Sequence, residues 1–172
     1  MLPSNPRRIA LDILLENSTT RRTLDAVMGE FSPSMDALSR RDRALANALI
    51  YGTLRWQGYL DYLMAPFSNR ELSTLKPDIL YAMRMAMFQV IFMDRIPVSA
   101  AVNTAVEAVG ERHHRGAAGF VNAVLRKAAT GYKKIKLPDA DKAPDEYLAV
   151  TSSMPIALVR RWMGRFGFGR TE

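Results

Sequence analysis

The chain has 172 residues, 48% of them hydrophobic, and a net charge of +7. At this length roughly 70% of the unfolded surface can be buried, so one ordinary domain, or one with a small appendage, needs no staple. No cysteine and two histidines exclude disulfides, thiolate metal sites, thiol nucleophiles and a multi-histidine metal cage.

Almost every segment repeats its apolar residues with period 3.6 and none with sustained period 2, so the fold class is all-α. Ser4-Asn5-Pro6 opens a first helix that runs to about Glu16, with Ile9, Ile13 and Leu14 on one stripe. The second spans about 21–31 through Leu24, Val27, Met28 and Phe31, and Ser32-Pro33-Ser34 ends it. Ser39 and Asp42 have capping-box spacing at the start of a third, where Asp42 reads as a helix-start charge and Arg43 as reaching a neighbouring helix. Gly52 and Gly58 suggest close packing or a bend near Trp56, with a short fourth helix ending at Met64. The fifth begins at Lys76-Pro77-Asp78, breaks at Ile96-Pro97, and uses methionine as core filler. Ser99 caps a sixth, a basic loop covers 110–116, and the seventh runs from about 117 to 130.

After Gly131 the composition turns polar and proline-punctuated. Residues 1–131 therefore read as one helical domain and 132–147 as a linker. Residues 148–172 hold one further amphipathic helix, around 155–166 with Trp162 and Phe166, which looks like the start of a larger unit that has been cut off. Residues 1–20 hold no secretory pattern, and the apolar run Met85–Met93 is shorter than the roughly 20 residues of a membrane span. A cytoplasmic protein without membrane contact is expected.

The surplus charge is local. Residues 97–136 hold seven basic and two acidic residues, a net +5 out of +7. The run is Arg112, Arg115, Arg126, Lys127, Lys133, Lys134 and Lys136, with His113 and His114 inside it. Clustered cations attract a polyanion better than dispersed ones, because their fields add within about 8–10 Å. Nucleic acid is the favoured partner, ahead of an anionic membrane. Tyr51, Trp56, Tyr59 and Tyr62 are candidate base stackers, with core packing expected for at least half of them.

Catalytic patterns are missing. No glycine-rich phosphate loop, dinucleotide fingerprint or His-Glu-x-x-His is present. The two histidines stand in a basic run with no carboxylate nearby to orient a ring, so a serine triad is not supported. Read from its residues, the chain is a binding module that needs no metal and holds no cofactor.

Three ordered blocks carry a family resemblance. Asp42-Arg43-Ala44-Leu45-Ala46 with Tyr51-Gly52-Thr53-Leu54-Arg55-Trp56, then Gln89 to Pro97 with Ala100-Ala101-Val102-Asn103, then Gly119-Phe120-Val121-Asn122-Ala123-Val124-Leu125-Arg126, resemble the N-terminal domain of the Sun/RsmB ribosomal RNA cytosine methyltransferases. That domain is similar to the antitermination factor NusB, an all-helical RNA-binding fold. The resemblance covers about 4–130 and implies a NusB-like bundle of about seven helices, followed by the linker and one further helix. It implies an RNA-recruiting role toward small-subunit ribosomal RNA, with Arg7 and Arg8 on the first helix contributing. It also implies that S-adenosylmethionine and a thiolate nucleophile belong to a methyltransferase domain absent from this chain, which would itself be a partner. A free NusB-type antitermination factor and a protein–protein docking domain remain open.

Overall fold

The computed structural model describes residues 5–113 and 115–171, and among these the ordered elements are all helical. Helix α1, Pro6–Thr19, is capped by Asn5, whose side chain accepts from the Arg7 N–H at 3.0 Å. It outruns its expected end because the Ser18, Thr19 and Thr20 hydroxyls donate to the Leu15 and Glu16 carbonyls, satisfying the last turn. Helix α2, Leu24–Glu30, stops as expected, but Ser32-Pro33 does not end helical structure. Pro33 sits in the first turn of a short α3, Ser32–Asp36, where its missing N–H costs nothing.

Helix α4, Arg40–Met64, is one continuous rod through Gly52 and Gly58, not two helices with a bend. The glycines serve contact. A Cβ on Gly52 would lie 2.0 Å from the ζ carbon of Phe88, and one on Gly58 would lie 3.2 Å from Ser153 Oγ. The Phe88 ring fills the space a Cβ at position 52 would need, and Ser153 packs tightly on Gly58.

Helix α5, Pro77–Phe92, is the centre of the bundle, with α1 and α4 packed on one flank and α6, Val98–Arg112, and α7, Arg115–Gly131, on the other. Met83, Met85 and Met87 are buried as core filler, each contributing about 1.5–3 kcal/mol of apolar burial. Helix α6 begins after Pro97 with no side chain over its first amides, so Ser99 does not cap it. The expected basic loop at 110–116 shrinks, because α6 continues to Arg112 and α7 starts at Arg115.

The stretch read as a linker is not free chain. It holds a 3-10 turn at Tyr132–Lys134 and the first half of α8, Pro144–Thr151, whose start Pro144, Asp145 and Glu146 suit as an early proline followed by acids at a helix N-terminus. It is fastened to α4 where Tyr62 Oη donates to the Lys136 carbonyl at 2.8 Å, and just past α8 Ser153 Oγ accepts from the Gly58 and Tyr59 N–H groups at 2.9 and 3.3 Å. Helix α9, Ile156–Phe166, matches its expected span. It buries only Val159 and leaves Trp162 39% and Phe166 48% exposed.

Candidate nucleic-acid interface

Ten residues stand out from the sequence as candidate RNA contacts, and the structure sorts them into two groups. Arg7, Arg8 and Arg112 meet at a cleft of about 580 Å³ that is floored by α5 and walled by α1 and α6. Arg7 is half-buried, and its Nε donates to Gln89 Oε1 at 2.8 Å. Gln89 is 2% exposed and itself donates to the Met85 carbonyl, so a neutral, fixed partner holds this arginine. Burial draws the Arg7 pKa below its ordinary value, opposed by the charge of Asp42. Arg8 pairs with Glu111 at 3.2 Å, and Arg112 pairs with Asp12.

His113 belongs to this end of the molecule and corrects the sequence reading. A carboxylate is in fact present, because Asp78, at the start of α5, contacts His113 Nε2. The pair is 35 positions apart in sequence, so no local pattern shows it. The ring side chain is only 14% exposed. His114 lies outside the described residues.

The second group lies along α7 and just beyond it. Arg115 and Arg126 are both exposed. Eleven positions of α-helix put them about 20° apart around the axis and about 16 Å apart along it, so they share a face. Arg126 Nε donates to Asn122 Oδ1 at 2.7 Å, which orients the guanidinium without neutralising it. Lys127 follows at the next position, and Lys133 and Lys134 project from the 3-10 turn that continues the helix. Lys133 Nζ stands 5.9 Å from the Tyr132 ring centroid. Among the described residues, none of these five cations has a carboxylate oxygen within ion-pair distance.

The charge is therefore a stripe, not a compact patch. Its ends lie farther apart than the screening length of about 8–10 Å, so they attract separate charges, while the neighbours Arg126 and Lys127, and Lys133 and Lys134, act together. A stripe of that kind suits a linear polyanion whose phosphates are spaced along a strand.

The aromatic candidates divide similarly. Trp56 stacks on Phe92 with centroids 5.1 Å apart and meets Tyr59 edge-on at 5.9 Å. Tyr62 commits its hydroxyl to the Lys136 carbonyl. Tyr51 stays 50% exposed. Of the four, only Trp56 packs against the core, while Tyr59 and Tyr62 are half-buried. Asp42 and Arg43 behave as read, since Ser39 Oγ and Asp42 form the capping pair and Arg43 reaches Asp36 on α3 at 3.0 Å.

Two arginines escaped the sequence reading. Arg41 and Arg95 share a pocket with Arg7, although the three come from α1, α4 and the turn between α5 and α6. No spacing rule links positions so far apart. Among the described residues there is no cluster of three or more potential metal ligands, and no helix is long and apolar enough to cross a membrane.

Comparison with known proteins adds an independent line. The sequence pattern of the NusB family matches residues 4–130. The probable ribosomal RNA small subunit methyltransferase B of Bacillus subtilis (strain 168) is 33% identical over 172 residues, which is 100% of this chain and 38% of that protein. The ribosomal RNA small subunit methyltransferase B of Thermus thermophilus is 34% identical over 170 residues, 97% of this chain and 37% of that protein. The transcription antitermination protein NusB of Hahella chejuensis is 29% identical over 134 residues, 78% of this chain and 89% of that protein. The crystal structure of PH0851 superposes over 100% of this chain and 38% of its own, with a TM-score of 0.74 at 19% identity, a likeness of fold. The chain thus spans about 38% of the first two relatives' length.

Proposed function

The chain belongs to the NusB family across residues 4–130, and from that footing we propose that it is the RNA-binding, substrate-recruiting domain of an S-adenosylmethionine-dependent small-subunit ribosomal RNA (cytosine-C5) methyltransferase. The observation that carries this reading is the α7 stripe, in which Arg115, Arg126, Lys127, Lys133 and Lys134 lack carboxylate partners among the described residues. An unpaired surface cation meets a phosphate by releasing counterions only, whereas a paired one must first give up its carboxylate.

The methyl transfer itself is assigned elsewhere. No segment here fits S-adenosylmethionine, since the described residues hold no strand to build a strand–turn–helix cradle. Cytosine-C5 chemistry needs a thiolate nucleophile, and the chain has no cysteine. The exposed apolar face of α9 (Ile156, Trp162 and Phe166) is the surface offered to the remaining length of such an enzyme. The proposed setting is the cytoplasm.

The second reading, a free antitermination factor, draws on the Hahella chejuensis relative. It is the weaker one, because similarity to the methyltransferases runs over 172 and 170 residues and so takes in α8 and α9, against 134 for the antitermination protein.

The test is a titration of the purified chain with a small-subunit ribosomal RNA hairpin at two salt concentrations. Binding near the micromolar range that falls steeply with salt is expected. No binding at about 50 mM salt overturns the reading.

A further inference from the structure

A pocket of about 520 Å³ lies where the start of α1, the first turn of α4 and the turn from α5 to α6 meet. Its charged lining is Arg7, Arg41, Arg95 and a single carboxylate, Asp42. Asp42 is engaged at the head of α4, where its Oδ2 accepts from Ser39 Oγ at 2.7 Å. Arg41 and Arg95 are exposed, and among the described residues none of the three arginines has a carboxylate oxygen within 4.0 Å. The remaining wall is apolar, with Leu45, Ile96 and Pro97. Pro97 and Ala100 bring the uncapped first turn of α6 to the rim, which adds partial positive charge.

Arg7 is the informative member. Its Nε is taken by the buried amide of Gln89, which fixes the plane of the guanidinium, and its charge is met only at a distance by Asp42, with no carboxylate in direct contact. A half-buried cation held by a neutral partner is costly unless an anion completes it. The lowered Arg7 pKa, caused first by burial, is the same deficit seen as a proton equilibrium. With Nε engaged, both terminal nitrogens of the fork remain for an incoming group.

Donors from three separate elements suit an acceptor whose oxygens point in tetrahedral directions. A planar carboxylate presents two oxygens in one plane and satisfies one fork at a time. We propose that this pocket seats an internucleotide phosphate of the bound RNA strand, a contact separate from the α7 stripe, with Arg41 and Arg95 as phosphate-binding residues and Arg7 as the preorganised floor. The proposal rests on the RNA-binding reading and deepens it.

The experiment compares the full chain with two variants, R41Q/R95Q and R126Q/K127Q, by titration with the same RNA hairpin across a salt series, with Tm measured in parallel. R41Q/R95Q is expected to bind about tenfold more weakly at low salt, and to lower the slope of log K against log salt by about 1.4, at ~0.7 per single-strand contact. Its Tm should stay that of the wild type, because neither arginine has an ion pair to lose. If the wild type binds and R126Q/K127Q weakens binding while R41Q/R95Q retains both affinity and slope, the pocket proposal is overturned and the broader reading survives. If the wild type binds no RNA, both fall. A third arm replaces chloride by inorganic phosphate at matched ionic strength. A phosphate-specific rise in Tm that R41Q/R95Q abolishes, with RNA affinity unchanged, overturns the RNA assignment in favour of a free phosphate ion.

Discussion

Two basic regions of this molecule look alike in sequence and differ in what their charges do. At the α1–α6 end, Arg8 and Arg112 are tied to Glu111 and Asp12 across helices. Along α7 and its 3-10 continuation, Arg126 is steadied by Asn122 and the lysines project without carboxylates in reach among the described residues. Net charge counts both regions equally, yet only an unneutralised cation gains from a phosphate without losing a partner. The lesson is that a charge run read along a chain must be discounted by the acids that tertiary packing brings to it.

The sharpest way to break this comparison is to neutralise the stripe. R126Q/K127Q/K133Q/K134Q should bind the RNA hairpin roughly a hundredfold more weakly, about 2.7 kcal/mol, and flatten the salt slope by about 3. Its urea midpoint should not move, since these side chains make no ion pair in the fold. An equal loss from R8Q/R112Q would erase the distinction between the regions.

The opposite extreme is a cation whose role is wholly internal. Arg84 on α5 grips Asp61 on α4 with two bonds, Nε to Oδ1 at 2.8 Å and Nη2 to Oδ2 at 2.6 Å, and its side chain is 12% exposed. Burial alone would lower its pKa, but the hydrogen bonds and charge of Asp61 outweigh that and raise it. Arg84→Ala should lose about 2 kcal/mol of stability, less than the 3–5 of a fully buried pair, because Asp61 keeps some solvent contact. RNA affinity should be unaffected. A loss under about 0.5 kcal/mol in urea unfolding would place the pair among screened surface bridges.

The helical class, the order of the helices and the buried methionines of α5 were legible because period and capping are local signals. What escaped was set by contacts across the sequence. Gly52 reads equally as close packing or as a bend, and only the Phe88 ring in its missing Cβ decides for packing. Pro33 reads as a stop until it is seen to open α3. The candidate site was half legible, since the cations of α7 and its 3-10 continuation lie within 20 residues of one another, whereas the carboxylates that meet Arg8, Arg112 and His113 lie 103, 100 and 35 positions away. Arg41 and Arg95 were missed for the same reason, their meeting with Arg7 being a product of two helices and the turn between α5 and α6.

A subtler perturbation tests whether ion pairing is what keeps Arg112 from serving as a phosphate contact. Asp12→Asn should free that guanidinium at a cost of about 0.5–1 kcal/mol in stability, and a double-mutant cycle with R112Q should return a coupling of that size. RNA affinity at low salt should rise a few-fold in Asp12→Asn and stay within about twofold of wild type in R112Q. If Asp12→Asn leaves affinity unchanged, geometry and not pairing keeps Arg112 out of the interface.

The smallest expected effect concerns a clip outside the NusB-family region. Arg160 on α9 donates from Nε to Asp145 Oδ2 on α8 at 2.7 Å, and that bond holds the Asp145 carboxyl below the usual aspartate value. A carboxyl whose folded pKa is depressed contributes its stabilisation fully above the unfolded value and loses it as the pH falls through the lowered one. Contact between α8 and α9 should therefore persist through the ordinary carboxylate range and loosen only below it. Trp162 on α9 reports this through its fluorescence. In R160Q the carboxyl rises toward its ordinary value, held down only by the backbone N–H bonds it keeps, so the acid-induced change in Trp162 emission should move to higher pH. An unchanged midpoint would mean that Arg160 does not restrain Asp145, and that α9 keeps its place through Val159 and the contact with α8 alone.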